Sequence, residues 1–252
     1  MQIGLSSWSL HREFDSGMDV FGFLEVVSKR YRLQSVEIVS THLASTRAPY
    51  LKEVKASLKA QGLNVANVPI DGDTAINVAL DRKRHLGFFL DLFDAAVALG
   101  AASVRANAGE AESSDLQKVI QGYSILAEEC GKRGLHLLIE NHGGPTGDPE
   151  NILAIIRAVG SPSLGTCPDT GNFEAEVRYR GLELLTPHMR LAHVKTYDFD
   201  HEGNETTIDV PRCLGIFKRA GFDGLLSVEY EGKPDAYLGV EKSIALLRRS
   251  LP

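Results

Sequence analysis

Four residues of this 252-residue chain have types and spacing that could do chemistry together: Glu140, Asp169, His193 and Glu229. Each closes a short apolar run, in HLLIENHGG, LGTCPDTGN, RLAHVKTYD and LLSVEYEG. Three carboxylates and one imidazole make a hard, oxygen-rich donor set. With open positions for substrate oxygens it suits one Mn2+, Mg2+ or Co2+ ion, and zinc is also compatible. Taken singly, each residue reads as a solvated loop residue or a helix cap. Independent loop decoration does not account for one metal-competent residue at each of four consecutive strand ends, so the joint pattern points to a metal site.

The runs are rich in Leu, Val and Ile and are followed by Gly, Pro, Asn or Asp, as buried parallel strands ending in loops are. Strands are predicted over 3–8, 35–39, 64–68, 102–106, 135–140, 163–168, 190–195 and 225–230, with stretches of helical length and apolar spacing between them. Gly62, Gly100, Gly134, Gly160 and Gly221 each follow a helix-like segment, where a left-handed helix end needs glycine. No polar or Pro/Ser-rich linker divides the chain. Eight repeated units over residues 1–252 predict an α/β fold made of a single (β/α)8 barrel. Its post-strand loops bring residues with gaps of 29, 24 and 36 in sequence onto one face.

Helix starts are predicted at Ser113 or Ser114 and at Asp148 with Pro149, where a side-chain oxygen caps free amides and proline opens the first turn. Residues 83–99 read as an outer barrel helix with Phe88, Phe89 and Phe93 in the core. The sequence has no amino-terminal targeting segment and no run long enough to span a membrane, so a cytoplasmic location and no membrane partner are expected. Cys130, Cys167 and Cys213 are odd in number and lack CxxC spacing, which predicts reduced, structural thiols. A net charge of −6 argues against nucleic acid as a partner.

MQIGLSSWSL, SVEIVS, the LGAASVR turn, LLIENHGG, PDTGN, AHVK and SVEYEG together resemble the xylose isomerase-like TIM-barrel superfamily of sugar isomerases and epimerases over nearly the whole chain. In ketose 3-epimerases and inosose dehydratases of that superfamily, Glu, Asp, His and Glu from strands five to eight hold one divalent ion. The resemblance carries those roles to Glu140, Asp169, His193 and Glu229. Strand alternation points Glu229 and Glu231 to the same side; Glu229 is preferred because it sits within the apolar run as the family's ligand does. Related barrels often pair, which implies a homo-oligomer, although no residue identifies the surface.

Around these donors, His142 is expected either to reach substrate or to orient a ligand, with a loop histidine bonding only backbone as the alternative. Lys195 is expected to touch a substrate oxygen. The family often has Asp directly after this lysine, and Thr196, Tyr197 and Asp198 stand here instead. Trp8 would wall an apolar sugar face or pack at the barrel rim. Glu37 and Arg105 read more readily as a buried ion pair or loop contact than as pocket residues, and Asn172 as a loop-structuring amide.

An ion chelated by adjacent carbonyl and hydroxyl oxygens would polarise the carbonyl and stabilise the enediolate left by proton loss. Glu140 and Glu229 are expected to be the acid/base pair on either side of the substrate. The four ligands do not choose among inversion, a moved carbonyl and loss of water; the resemblance implies a metal-dependent isomerase or epimerase of a sugar, keto sugar or polyol, with a lyase on the same site as the alternative. An endonuclease would need additional histidines and a basic groove, and a non-catalytic carbohydrate-binding barrel would show no proton exchange.

Overall fold

The computed structural model describes residues 1–71, 82–108, 116–233 and 235–251. Eight parallel strands run in chain order: β1 (Gln2–Ser6), β2 (Ser35–Glu37), β3 (Asn64–Ile70), β4 (Ser103–Ala106), β5 (His136–Ile139), β6 (Leu164–Thr166), β7 (Leu191–Thr196) and β8 (Leu225–Tyr230). Each overlaps its predicted run, with ends displaced by no more than two residues. The sheet order is β6-β5-β4-β3-β2-β1-β8-β7. Its two outer strands meet through the parallel bridges Thr166↔Met189 and Asp169↔His193, which close the (β/α)8 barrel.

Strand alternation sorts the side chains into two layers. Val36, Val104, Leu137, Ile139, Ala192, Val194, Leu226 and Val228 face the surrounding helices and join the main apolar core. Leu138, Cys167 and Leu191 form a separate apolar cluster on the opposite, inner face. Above that floor the inward positions turn polar, with His193 and Lys195 on β7 and Ser227 and Glu229 on β8, all buried. One irregularity matters for the interior. Val36 pairs with Val65, but Glu37 pairs with Asn67, so the β2–β3 register skips Ala66. This bulge brings Asn67 alongside Glu37.

The helices pack outside. Asp148 caps Pro149–Val159 by accepting from the Glu150 amide at 2.9 Å, as the sequence predicts. All five predicted glycine stops have positive φ, Gly160 at 60° among them. Ser113 and Ser114 lie outside the described residues. The 83–99 segment forms the helix Arg82–Leu99, and Phe89 and Phe93 are buried as expected. Phe88 corrects the reading: it is 43% exposed, because apolar residues at 88 and 89 cannot both face the sheet when each step along a helix turns by about 100°. Cys130, Cys167 and Cys213 are free and buried. No helix among the described residues is long and apolar enough to cross a membrane.

Candidate metal centre

Glu140 directly follows β5, Asp169 lies three residues past β6, and His193 and Glu229 project inward from β7 and β8. One donor atom from each lies within 4.8 Å of all the others, and all four residues are buried. His193 Nδ1 is 2.8 Å from Glu140 Oε1, 3.7 Å from Glu229 Oε2 and 4.0 Å from Asp169 Oδ2. Donors about 2.1 Å from one octahedral ion stand roughly 3 Å apart when adjacent and roughly 4.2 Å apart when opposite, and the three distances from His193 lie close to that range, so a small inward adjustment of the cluster fits a divalent cation.

The loops are built to hold these atoms. The Asn141 side chain clamps the Asp169 backbone, accepting from its N–H at 2.8 Å and donating to its carbonyl at 3.0 Å. Asp169 Oδ1 accepts from the Gly171 and Asn172 amides at 2.6 and 3.0 Å, which leaves Oδ2 buried without a hydrogen-bond donor. Gly171 has to be glycine, because a Cβ there would stand 2.6 Å from Lys195 Cγ. Asn172, read from sequence as a loop amide, also donates to Glu140 Oε1 at 3.4 Å.

Lys195 joins the same cluster from β7. Its ammonium donates to Glu229 Oε2 at 2.6 Å and to Glu231 Oε1 at 2.7 Å, and lies 3.4 Å from Asp169 Oδ2. Glu231 stands outside the donor cluster and joins Lys195 to the rim, where Trp8 Nε1 donates to it at 2.8 Å. Trp8 lies on a 3-10 turn, Ser7–Leu10, beyond the end of β1, stacked on His11 with ring centroids 4.7 Å apart. His142 is exposed at the mouth, with its backbone N–H bonded to Thr146 Oγ1.

Charge is concentrated here. Burial opposes ionisation of Glu140, yet Arg105 and His193 hold it well below the usual carboxylate range. Glu229 is held at about 2 against the same burial by His193 and Lys195. Burial pushes Asp169 up to about 7, with Glu229 and Glu140 adding to the rise and Lys195 acting against it. Burial disfavours the imidazolium of His193, and the carboxylates of Glu229, Glu37 and Glu140 more than reverse that. Asp169, the carboxylate hardest to ionise, has Oδ2 within the donor set, where a bound cation would favour the charged form.

Two residues weighed as structural prove to belong to the centre. Arg105 Nε lies 3.1 Å from Glu140 Oε2, and its Nη1 bonds Asp71 Oδ1 at 2.5 Å. Glu37 faces His193 and accepts from Asn67 Nδ2 at 2.7 Å. The sequence reading found the ion-pair character of both but not their partners. Asn67, Asp71 and Asn141 were missed, since a lone amide or acid near a strand end carries no recognisable pattern.

Solved structures with this fold include a D-tagatose 3-epimerase-like protein (20% identity, TM-score 0.80, covering 99% of this chain and 98% of that one). A probable 3-DHS dehydratase from Bacillus anthracis has 15% identity and a TM-score of 0.78, covering 98% and 99%. A D-allulose 3-epimerase from Methylomonas sp. has 13% identity and a TM-score of 0.77, covering 100% and 98%. Among curated proteins, the C-glycoside deglycosidase alpha subunit of Arthrobacter globiformis is 38% identical over 74 residues, 27% of this chain. The match spans only 21% of that subunit's length. The family described as xylose isomerase-like TIM barrel matches residues 24–250, and the chain belongs to that family.

Proposed function

We propose that this chain is a divalent-metal-dependent isomerase or epimerase of a sugar, keto sugar or related polyol, moving a proton on a carbon beside a carbonyl. The observation that carries this reading is the pairing of two buried carboxylates, Glu140 and Glu229, from strands on different sides of one donor cluster, with neighbouring cations favouring the charged form of each. Glu140, Asp169, His193 and Glu229 would hold the ion, with Mn2+, Mg2+ or Co2+ fitting the donors best. When bound, the ion supplies Lewis-acid polarisation of a carbonyl and a second oxygen contact for an adjacent hydroxyl.

The chain's own groups do the rest. Glu140 and Glu229 take and return the proton, because both are charged bases at neutral pH and face a common space. The Lys195 ammonium, fixed by Glu229 and Glu231, offers a donor to an oxygen gaining negative charge. Trp8, tied to Glu231, lines the mouth with an aromatic face suited to the C–H side of a sugar ring.

A second reading, elimination at the same site, draws on the partial match to a C-glycoside deglycosidase subunit and on the likeness to a dehydratase. Both outcomes begin with the same proton removal. Incubation of the metal-loaded protein with a panel of keto sugars, inososes and keto-glycosides in D2O, followed by NMR, is expected to place deuterium beside the carbonyl of the true substrate. Inverted configuration then marks an epimerase, a moved carbonyl an isomerase, and a lost leaving group a lyase. Glu140→Gln and Glu229→Gln should each lower kcat by about 10²- to 10⁴-fold. Full turnover in either variant removes that residue from the acid/base pair.

A further inference from the structure

A carboxylate has no packing reason to occupy the inner layer of a barrel, and Glu37 is completely buried there. Taking such a charge out of water costs several kcal/mol unless partners compensate it. The partners are specific. Both Glu37 oxygens flank His193 Nε2, Oε1 at 3.2 Å and Oε2 at 3.3 Å. Oε2 also accepts from Asn67 Nδ2 at 2.7 Å, and Asn67 Oδ1 accepts from Ser103 Oγ at 2.9 Å. Glu37, Asn67 and Ser103 are register partners across β2, β3 and β4, so the bulge that skips Ala66 is what aligns this polar row. The row crosses the barrel and ends on the histidine, on the ring nitrogen turned away from the donor cluster.

We infer that Glu37 is a positioning residue for the metal centre: it fixes the His193 ring with Nε2–H toward itself and Nδ1 toward Glu140, Asp169 and Glu229. The inference rests on reading those four residues as a metal site. A carboxylate acceptor at Nε2 requires the proton on that nitrogen, which frees the Nδ1 lone pair for a cation and makes it a stronger donor. Asn67 cannot rotate freely, because its amide donates to Glu37 while its carbonyl receives the Ser103 hydroxyl. The carboxylate is therefore held as rigidly as the imidazole it orients.

The test uses the full chain and two probe ions. Mn2+ affinity measured by calorimetry should fall about 10- to 100-fold in Glu37→Gln. The visible absorption of bound Co2+ should change, while the metal-free melting temperature stays close to that of the unsubstituted protein. Asn67→Ala, which keeps the charge and removes its hold, should show a smaller loss of affinity in the same direction. It decides the matter if Glu37→Gln does not fold. Unchanged Mn2+ affinity and an unchanged Co2+ spectrum in a folded Glu37→Gln protein, or unchanged affinity in Asn67→Ala when that variant decides, overturn the role of Glu37 alone. Absence of Mn2+ and Co2+ binding by the unsubstituted protein overturns the metal site, and this inference with it.

Discussion

The two halves of the barrel contribute to the centre in different ways. Strands β5 to β8 and their loops supply the candidate donors Glu140, Asp169, His193 and Glu229, one atom of each lying within 4.8 Å of the others. Strands β1 to β4 and their loops supply groups that hold those donors: Ser6 on Glu229, Glu37 on His193, Arg105 on Glu140, with Asn67 and Asp71 behind. The first half thus acts through the second. A donor needs an uncommitted lone pair, which is costly when buried, whereas a support lends an opposite charge or a hydrogen bond that offsets that cost. Removing the charge of a support that neutralises a buried donor, as Arg105 does for Glu140, should therefore act mainly on the metal-free fold. Substitutions in the donor half, and isosteric ones at a support that only orients a donor, as Glu37 does, should act mainly on what a metal ion adds.

The largest effect on stability is expected from Arg105→Met. The change leaves Glu140 buried and Asp71 without its guanidinium, and breaking a buried pair from one side costs about 3–5 kcal/mol. Urea unfolding of the metal-free protein measures this, and a loss below about 1 kcal/mol would show that Arg105 does not anchor the donor half.

A smaller, opposite-type effect is expected from Asp169→Asn. The substitution retains the Oδ1 acceptor for the Gly171 and Asn172 amides and removes the charge at Oδ2. The unsubstituted protein should gain about 2.7 kcal/mol at a metal concentration a hundred times its Kd. Asp169→Asn should lose most of that gain at the same concentration. Its metal-free stability should be equal or higher, since burial and the neighbouring Glu229 and Glu140 disfavour the ionised Asp169. If thermal shifts with Mn2+ are the same in both proteins, Asp169 is no donor and the division between halves fails there.

The smallest effect belongs to His42, in the supporting half but away from the donors. Its ring stacks on Phe14 with centroids 3.8 Å apart. Ser7 Oγ, which accepts from the Val39 amide, lies 2.8 Å from Nδ1, an arrangement that suits a neutral ring accepting the Ser7 hydroxyl. Burial, with His11 adding to it, lowers its pKa to about 4, against roughly 6.5 in the unfolded chain. The unfolded state binds the proton first, so this contribution is present above pH 6.5 and is lost as pH falls from 6.5 to 4. His42→Phe should flatten the stability profile in that window. An unchanged slope there would mean that the folded and unfolded chains bind the His42 proton equally well.

The eight strands and the clustering of four polar side chains were legible because each signal is local or periodic: apolar runs mark the strands, and a chemically potent residue stands at or near the close of each of the last four. Glu229 could be separated from Glu231 only through the family pattern, since both face inward. In the fold the difference is physical. Glu229 meets the donors, while Glu231 is held by Lys195 and Trp8 at the rim. Phe88 and Phe89 were both read as core because hydrophobicity alone does not say which of two neighbours on a helix faces inward.

The sequence by itself determined the repeated β/α units, the parallel barrel they imply and the donor types at the last four strands, since alternation, glycine stops and strand-end chemistry are written within a few residues of one another. Only the tertiary structure decided that Glu37 reaches His193 and that Arg105 links Glu140 to Asp71. These contacts join residues 156 and 35 positions apart, respectively 34 on the Asp71 side. The Glu37 contact depends on barrel closure, and its hold by Asn67 on a one-residue register skip that no local pattern specifies.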